Sequence, residues 1–390
     1  MKIVFVSKVP IFPTHGGNRS RMKTLCDEFI DQGCTIEFIL LPSRDQDDID
    51  RAAHIAYFGE QHFIELKRHA LASAPFMAAT LASRELNRLF KKKRLIKNVD
   101  YRYDRSLSRP ISKILKRVKP DMVLVNYVHY SRILDLVPNG VAKVLDTHDS
   151  FAHEFTASAE GRGLIRADLV IAIQDSEARR FNQPMGTDKV RVISHIAPPL
   201  DRVPVDSCIG ATFVGSRFDA NDVSLQWLAS TVLPLVLEAD PTFKLIVAGT
   251  VGEAIDDHPS IIKLGRVERL ADAYRQAPVL ANAIQKGTGV KIKLLEAQAM
   301  GIPAVSTQLG VAGVSADFLD GVAVVDDNDP QHFAERLIAM RRDAALRYAK
   351  SDNAIQCSQR WNEAQRSGLR SVIRAVSAQQ PPSAAPISIV

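Results

Sequence analysis

Lys2-Ile3-Val4-Phe5-Val6-Ser7, with Gly16-Gly17 soon after it, and its echo far downstream, Ala211-Thr212-Phe213-Val214-Gly215, decide how this chain is organised. Each run is short, apolar and β-branched, as a strand buried on both faces of a parallel sheet must be. Each gives way to a glycine-bearing loop and a helix-like stretch. After the first run, strand candidates recur at 35–41, 122–127, 143–146, 169–173 and 190–193; after the second, at 244–249, 261–264, 279–284, 304–307 and 322–325. Amphipathic stretches separate most of them. Alternation of this kind predicts α/β architecture: two doubly wound, Rossmann-like domains facing across a cleft, with ligands at the strand C-terminal ends. Ile196-Ala197-Pro198-Pro199, with Pro204 close behind, reads as the break between them. The expected boundaries are 1–196 for the first domain, 197–207 for a hinge, 208–376 for the second domain and 377–390 for a disordered tail.

A chain of 390 residues, 46% of them hydrophobic, is long and apolar enough for two cores. Cys26, Cys34, Cys208 and Cys357 lack metal-ligand spacing, the first residues do not lead into a long apolar run, and no stretch is apolar enough to span a bilayer. The expectation is a reduced, cytoplasmic protein, peripheral at most on the inner face of a membrane.

The net charge of +6 is concentrated in one segment. Between Arg84 and Lys119 there are 14 Lys or Arg against 3 Asp or Glu, so the rest of the chain is net acidic. Within it, Lys91-Lys92-Lys93-Arg94 is flanked by Leu89, Phe90, Leu95 and Ile96. Two readings stand: contact with anionic lipid or an anionic acceptor, or a solvated helix face with its apolar residues turned inward. No helix-turn-helix, zinc-finger or stacking-aromatic signature supports nucleic acid as a partner.

The most informative stretch is Gly287-Thr288-Gly289-Val290-Lys291-Ile292-Lys293-Leu294-Leu295-Glu296-Ala297-Gln298-Ala299-Met300-Gly301-Ile302-Pro303. It reads as a glycine loop opening a helix, with Gly301 as its cap and Pro303 leading into the next strand. Glycines let backbone N–H groups approach a phosphate, the helix N-terminus adds partial positive charge, and Lys291 and Lys293 add formal charge. Glu296 lies on the Lys293 face, where a carboxylate could accept from a ribose diol. A capped helix with a surface Lys–Glu pair is the bland alternative.

The stretch resembles the donor-binding signature of retaining glycosyltransferases of the large group 1 family, which have the GT-B fold. The resemblance extends over most of the chain: Gly16-Gly17 match paired glycines after the first strand, Phe213-Val214-Gly215 the glycine-terminated strand opening the second domain, and Glu296-Ala297 with Gly301-Ile302-Pro303 the donor helix. It implies that Glu296 binds the nucleotide ribose, that Lys291 or Lys293 binds the diphosphate, and that Gly16, Gly17, Gly215, Thr288 and Gly289 line the donor site. Arg217, a loose match to a family basic residue, would meet the leaving phosphate. Thr288 stands where the family often has a second glutamate, as in a Gly-Thr/Ser-Gly variant.

Val144-Leu145-Asp146-Thr147-His148-Asp149 is a buried-type strand ending in ionisable residues. Resemblance implies that His148 lines the active site beside the donor sugar, with Asp149 orienting it or meeting the acceptor. His129 and His15 are weaker candidates. No metal cluster is legible, so the lysines, Arg217 and the helix dipole would do the work of a divalent ion, without a cofactor. The implied function is transfer of a sugar, with retention, from a nucleotide-sugar to a glycan, lipid-linked or other glycoconjugate acceptor, as in polysaccharide biosynthesis. An epimerase-like enzyme or a catalytically silent sugar-nucleotide-binding protein are the alternatives. A dinucleotide oxidoreductase ranks low, because Gly16-Gly17 lacks the three-glycine fingerprint.

Overall fold

The computed structural model describes residues 1–14, 16–42, 48–68, 73–78, 96–152, 154–198 and 200–379. They form two compact units, Met1–Ser194 together with 366–379, and His195–Gln365.

In the first unit, β1 (Lys2–Ser7), β2 (Thr35–Leu40), β3 (Phe63–Glu65), β4 (Met122–Asn126), β5 (Ala142–Asp146), β6 (Leu169–Ala172) and β7 (Val190–Val192) make one sheet in the order β3-β2-β1-β4-β5-β6-β7. Every pairing is parallel. Successive side chains leave a strand on opposite faces, so each central strand feeds two cores. Val4, Val6, Val123 and Val125 pack on one side, while Ile3, Phe5, Met122 and Leu124 pack on the other. The sequence reading did not find β3, a three-residue edge strand with no fully buried side chain.

The second unit repeats the plan with β8 (Gly210–Val214), β9 (Lys244–Ala248), β10 (Ile261–Gly265), β11 (Leu280–Asn282), β12 (Ala304–Thr307) and β13 (Val322–Val325), ordered β10-β9-β8-β11-β12-β13. These pairings are also parallel. Strand order reverses between β1 and β4 and between β8 and β11. Loops diverge there beyond the strand C-terminal ends, which makes those points the places for ligands.

The structure departs from the expected boundaries at both ends of the second unit. The helix Ala344–Gln379 continues past that unit, and its Leu369, Val372 and Val376 fill the first-unit core with Ile3 and Phe5. Residues 366–376 therefore belong with the first unit, and 377–379 are helical. Gly368 permits this packing, since a Cβ there would lie 3.2 Å from the Val192 carbonyl oxygen. The segment read as a hinge is tied down: the Val203 amide donates to the Met300 carbonyl at 2.9 Å, and Arg347 donates to the carbonyls of Val205 and Asp206.

Candidate functional site

In the second unit, the chain leaving β11 reaches Gly287 and Gly289 with φ of 124° and 72°, values that a Cβ would strain, and then enters the helix Ile292–Ala299. The Lys291 ammonium folds back on the carbonyls of Gly289 (2.6 Å) and Thr288 (3.3 Å). Lys293 points elsewhere: its Nζ lies 4.8 Å from the centre of the Phe213 ring and donates to Asn221 Oδ1 at 2.9 Å. Desolvation, reinforced by Lys291, pushes the Lys293 ammonium down to about 7. Glu296, one helical turn on, is part-buried with Oε1 3.8 Å from His195 Nε2.

The loops after β8 and β9 close on one another. A Cβ on Gly249, at φ 98°, would lie 2.1 Å from the Gly215 carbonyl oxygen, and one on Gly215 would press on Asn221 at 3.1 Å. Gly249 cannot be replaced without moving the backbone, whereas a side chain at Gly215 would displace Asn221. Gly287 lies against the helix Asp219–Trp227, where its Cβ would sit 3.7 Å from that of Ala220. The site thus brings together Gly215, Asn221, Gly287, Lys293 and, one turn on, Glu296. Arg217 is otherwise engaged. Its Nε donates to Asp222 at 3.1 Å, an Nη lies 3.8 Å from Glu253, and the side chain is 46% exposed.

In the first unit, Gly16, at φ 95°, caps the helix Gly17–Asp31. Arg21, one turn into that helix, sends both Nη atoms to Asp146 at the end of β5, at 2.6 and 2.8 Å. Arg21 is 4% and Asp146 0% exposed. This bidentate pair holds the Asp146 carboxyl far below the usual carboxylate range despite its burial. His148, at φ 58°, turns its Nε2 inward to within 3.0 Å of Asp146 Oδ2, beside Asn126 Nδ2 and Arg21 Nη1, and stacks on Tyr127 with ring centres 4.6 Å apart. Burial lowers the imidazole from its ordinary value, opposed by the Asp146 carboxylate and helped by the Arg21 cation. The partner of His148 is therefore Asp146. Asp149 accepts from the Ser150 amide at 2.8 Å.

His129 is buried against Phe151 and Phe155 and pairs with Glu154 at 3.1 Å, a satisfied core histidine. His15, the Lys91–Arg94 run and residues 380–390 lie outside the described residues. In the described part of the basic segment, the helix Ser108–Val118 buries Ile111, Leu115 and Val118. Among the described residues no helix is long and apolar enough to cross a membrane, and no three His, Cys, Asp or Glu converge in a metal-binding group.

Sequence reasoning missed Asn221, His195, Arg21 and Asn126, and it assigned Asp146 no role. Asp146 had a signal, its place at the end of a buried strand. Asn221 and Arg21 sit in helices where a polar residue is ordinary, and only the fold shows what they touch.

Residues 210–343 match the family model described as Glycosyl transferases group 1. An uncharacterized 44.6 kDa protein in the cps region of Klebsiella pneumoniae is 28% identical over 151 residues, 35% of this chain and 38% of that protein's length. The fold aligns with TarM (Staphylococcus aureus) at TM-score 0.70 and 10% identity, covering 96% of this chain and 98% of that one. It also aligns with Anabaena HepE, solved in complex with UDP, at TM-score 0.63 and 13% identity, covering 97% and 100%. Over residues 210–343 the chain carries a group 1 glycosyltransferase domain, and its two sheet units have the GT-B glycosyltransferase fold.

Proposed function

We propose that the protein is a retaining glycosyltransferase that takes a sugar from a nucleotide-sugar and passes it to a glycan, lipid-linked or other glycoconjugate acceptor. The observation that carries this reading is Lys293. Its ammonium is part-buried and faces no bonded carboxylate, at the mouth of a glycine loop and a helix N-terminus, inside the domain that matches the family. Such a cradle stabilises the charge that develops on a departing nucleoside diphosphate. Lys291 and the amides of Thr288 and Gly289 complete it, Glu296 accepts from the ribose hydroxyls, and these cations do the work of a divalent ion. His148, in the first unit, bonds a sugar hydroxyl as a neutral imidazole whose orientation Asp146 sets.

The HepE complex supports a uridine nucleotide as the first to try. A calorimetric and thermal-shift panel of UDP-, GDP-, ADP-, dTDP- and CMP-sugars, run with EDTA, should show one nucleotide class binding and stabilising the protein. Transfer from that donor should then leave the anomeric configuration unchanged. If no sugar nucleotide binds, with or without a divalent cation, the donor-site reading fails.

A further inference from the structure

Asn221 joins two groups of opposite demand. Its Oδ1 accepts from Lys293 Nζ at 2.9 Å and its Nδ2 donates to the Ser216 carbonyl at 2.9 Å. An ammonium only donates and a carbonyl only accepts, so chemistry alone sets the orientation of this amide. An aspartate could serve Lys293 but not Ser216, and would bring a negative charge. We infer that Asn221 is a positioning residue: it holds Lys293 by a neutral oxygen, so that the lysine charge is left for the diphosphate of a nucleotide ligand.

The identity of that anion rests on the donor-site reading, but the role of Asn221 does not. The groups facing the ammonium are Asn221 from the helix Asp219–Trp227, Phe213 from β8 and Lys291 from its own loop; none is a carboxylate. Among the described residues Lys293 is in no ion pair, whereas Arg217, beside the same loop, is in two. A lysine so placed gives up its proton readily, and an arriving phosphate restores it.

The test is an NMR titration of the full chain labelled with ¹³C at lysine Cε, with the Lys293 signal assigned by its loss in Lys293→Arg. The wild-type midpoint should fall more than two units below the surface lysines, and Asn221→Asp should raise it by at least one unit. Binding of inorganic pyrophosphate should weaken about tenfold in Asn221→Asp. A wild-type Lys293 that titrates with the surface lysines overturns the inference, whether or not the variant folds. So does an unmoved midpoint in folded Asn221→Asp. If the titrations come out as expected and no sugar nucleotide binds, the donor-site reading alone is lost.

Discussion

Arg21 in the first unit and Lys293 in the second are both cations placed at the C-terminal end of a parallel sheet, and the fold treats them in opposite ways. Arg21 is met by a full countercharge: both Nη atoms meet the two oxygens of Asp146, and a further bond goes to the Ile193 carbonyl. Its charge is spent inside the protein, where the pair orients His148. Lys293 is met by an amide and an aromatic ring, so its charge is not cancelled. A cation buried for good needs a countercharge, whereas a binding cation works because no countercharge in the protein cancels it. The kind of partner, and not the depth of burial, separates the two roles.

The comparison can be broken most severely at Asp146. Asp146→Asn would leave Arg21 buried beside a neutral amide, at a cost of about 3 to 5 kcal/mol. Denaturant unfolding followed by a first-unit probe should show that loss, with affinity for the nucleoside diphosphate, which lacks the sugar, unchanged. Lys293→Met is the mirror experiment. Calorimetry should record a loss of about 2 kcal/mol, roughly thirty-fold, in nucleotide affinity. Stability should hold or rise, since a desolvated ammonium has been replaced by an apolar chain. A combined loss of both in either variant would collapse the distinction.

Acidity sharpens the same point. The free Lys293 ammonium is held down to about 7, and a bound diphosphate must raise it. Affinity for a nucleotide-sugar should then be flat below pH 7 and fall above it, by up to tenfold per unit, until the midpoint of the complex is reached. Buffers of different ionisation enthalpy should reveal proton uptake on binding at pH 8. Proton release, or a flat profile from pH 6 to 9, would contradict the assignment. Glu296→Ala should cost about 1.4 kcal/mol, near tenfold, for a ribonucleotide and little for its 2′-deoxy counterpart. Arg217→Ala should have the smallest effect, under about 1 kcal/mol on affinity or stability, since its carboxylate pairs are exposed.

Much of the fold is legible in the sequence, because a strand buried on both faces writes itself as an unbroken apolar run. β1, β8, β12 and β13 begin and end at or within a residue of where the sequence reading places them. The short edge strand β3 left no such mark. At the candidate site the glycines, Lys291, Lys293 and Glu296 could be named from spacing, since a loop opening a helix has a local signature. Arg217 could be named only through the family resemblance, and what its guanidinium touches is not a local property.

The sequence by itself determined two doubly wound units, the glycine loop before Ile292–Ala299 and the run of cations along it, because these depend on residues near one another in the chain. The tertiary structure alone decided that Asn221 meets Lys293, that Asp146 meets His148, and that 366–379 packs beneath β1. Periodicity states which face of an element is buried. It cannot state against what, because that choice is made by residues far apart in sequence that only the folded sheet brings within a few ångströms.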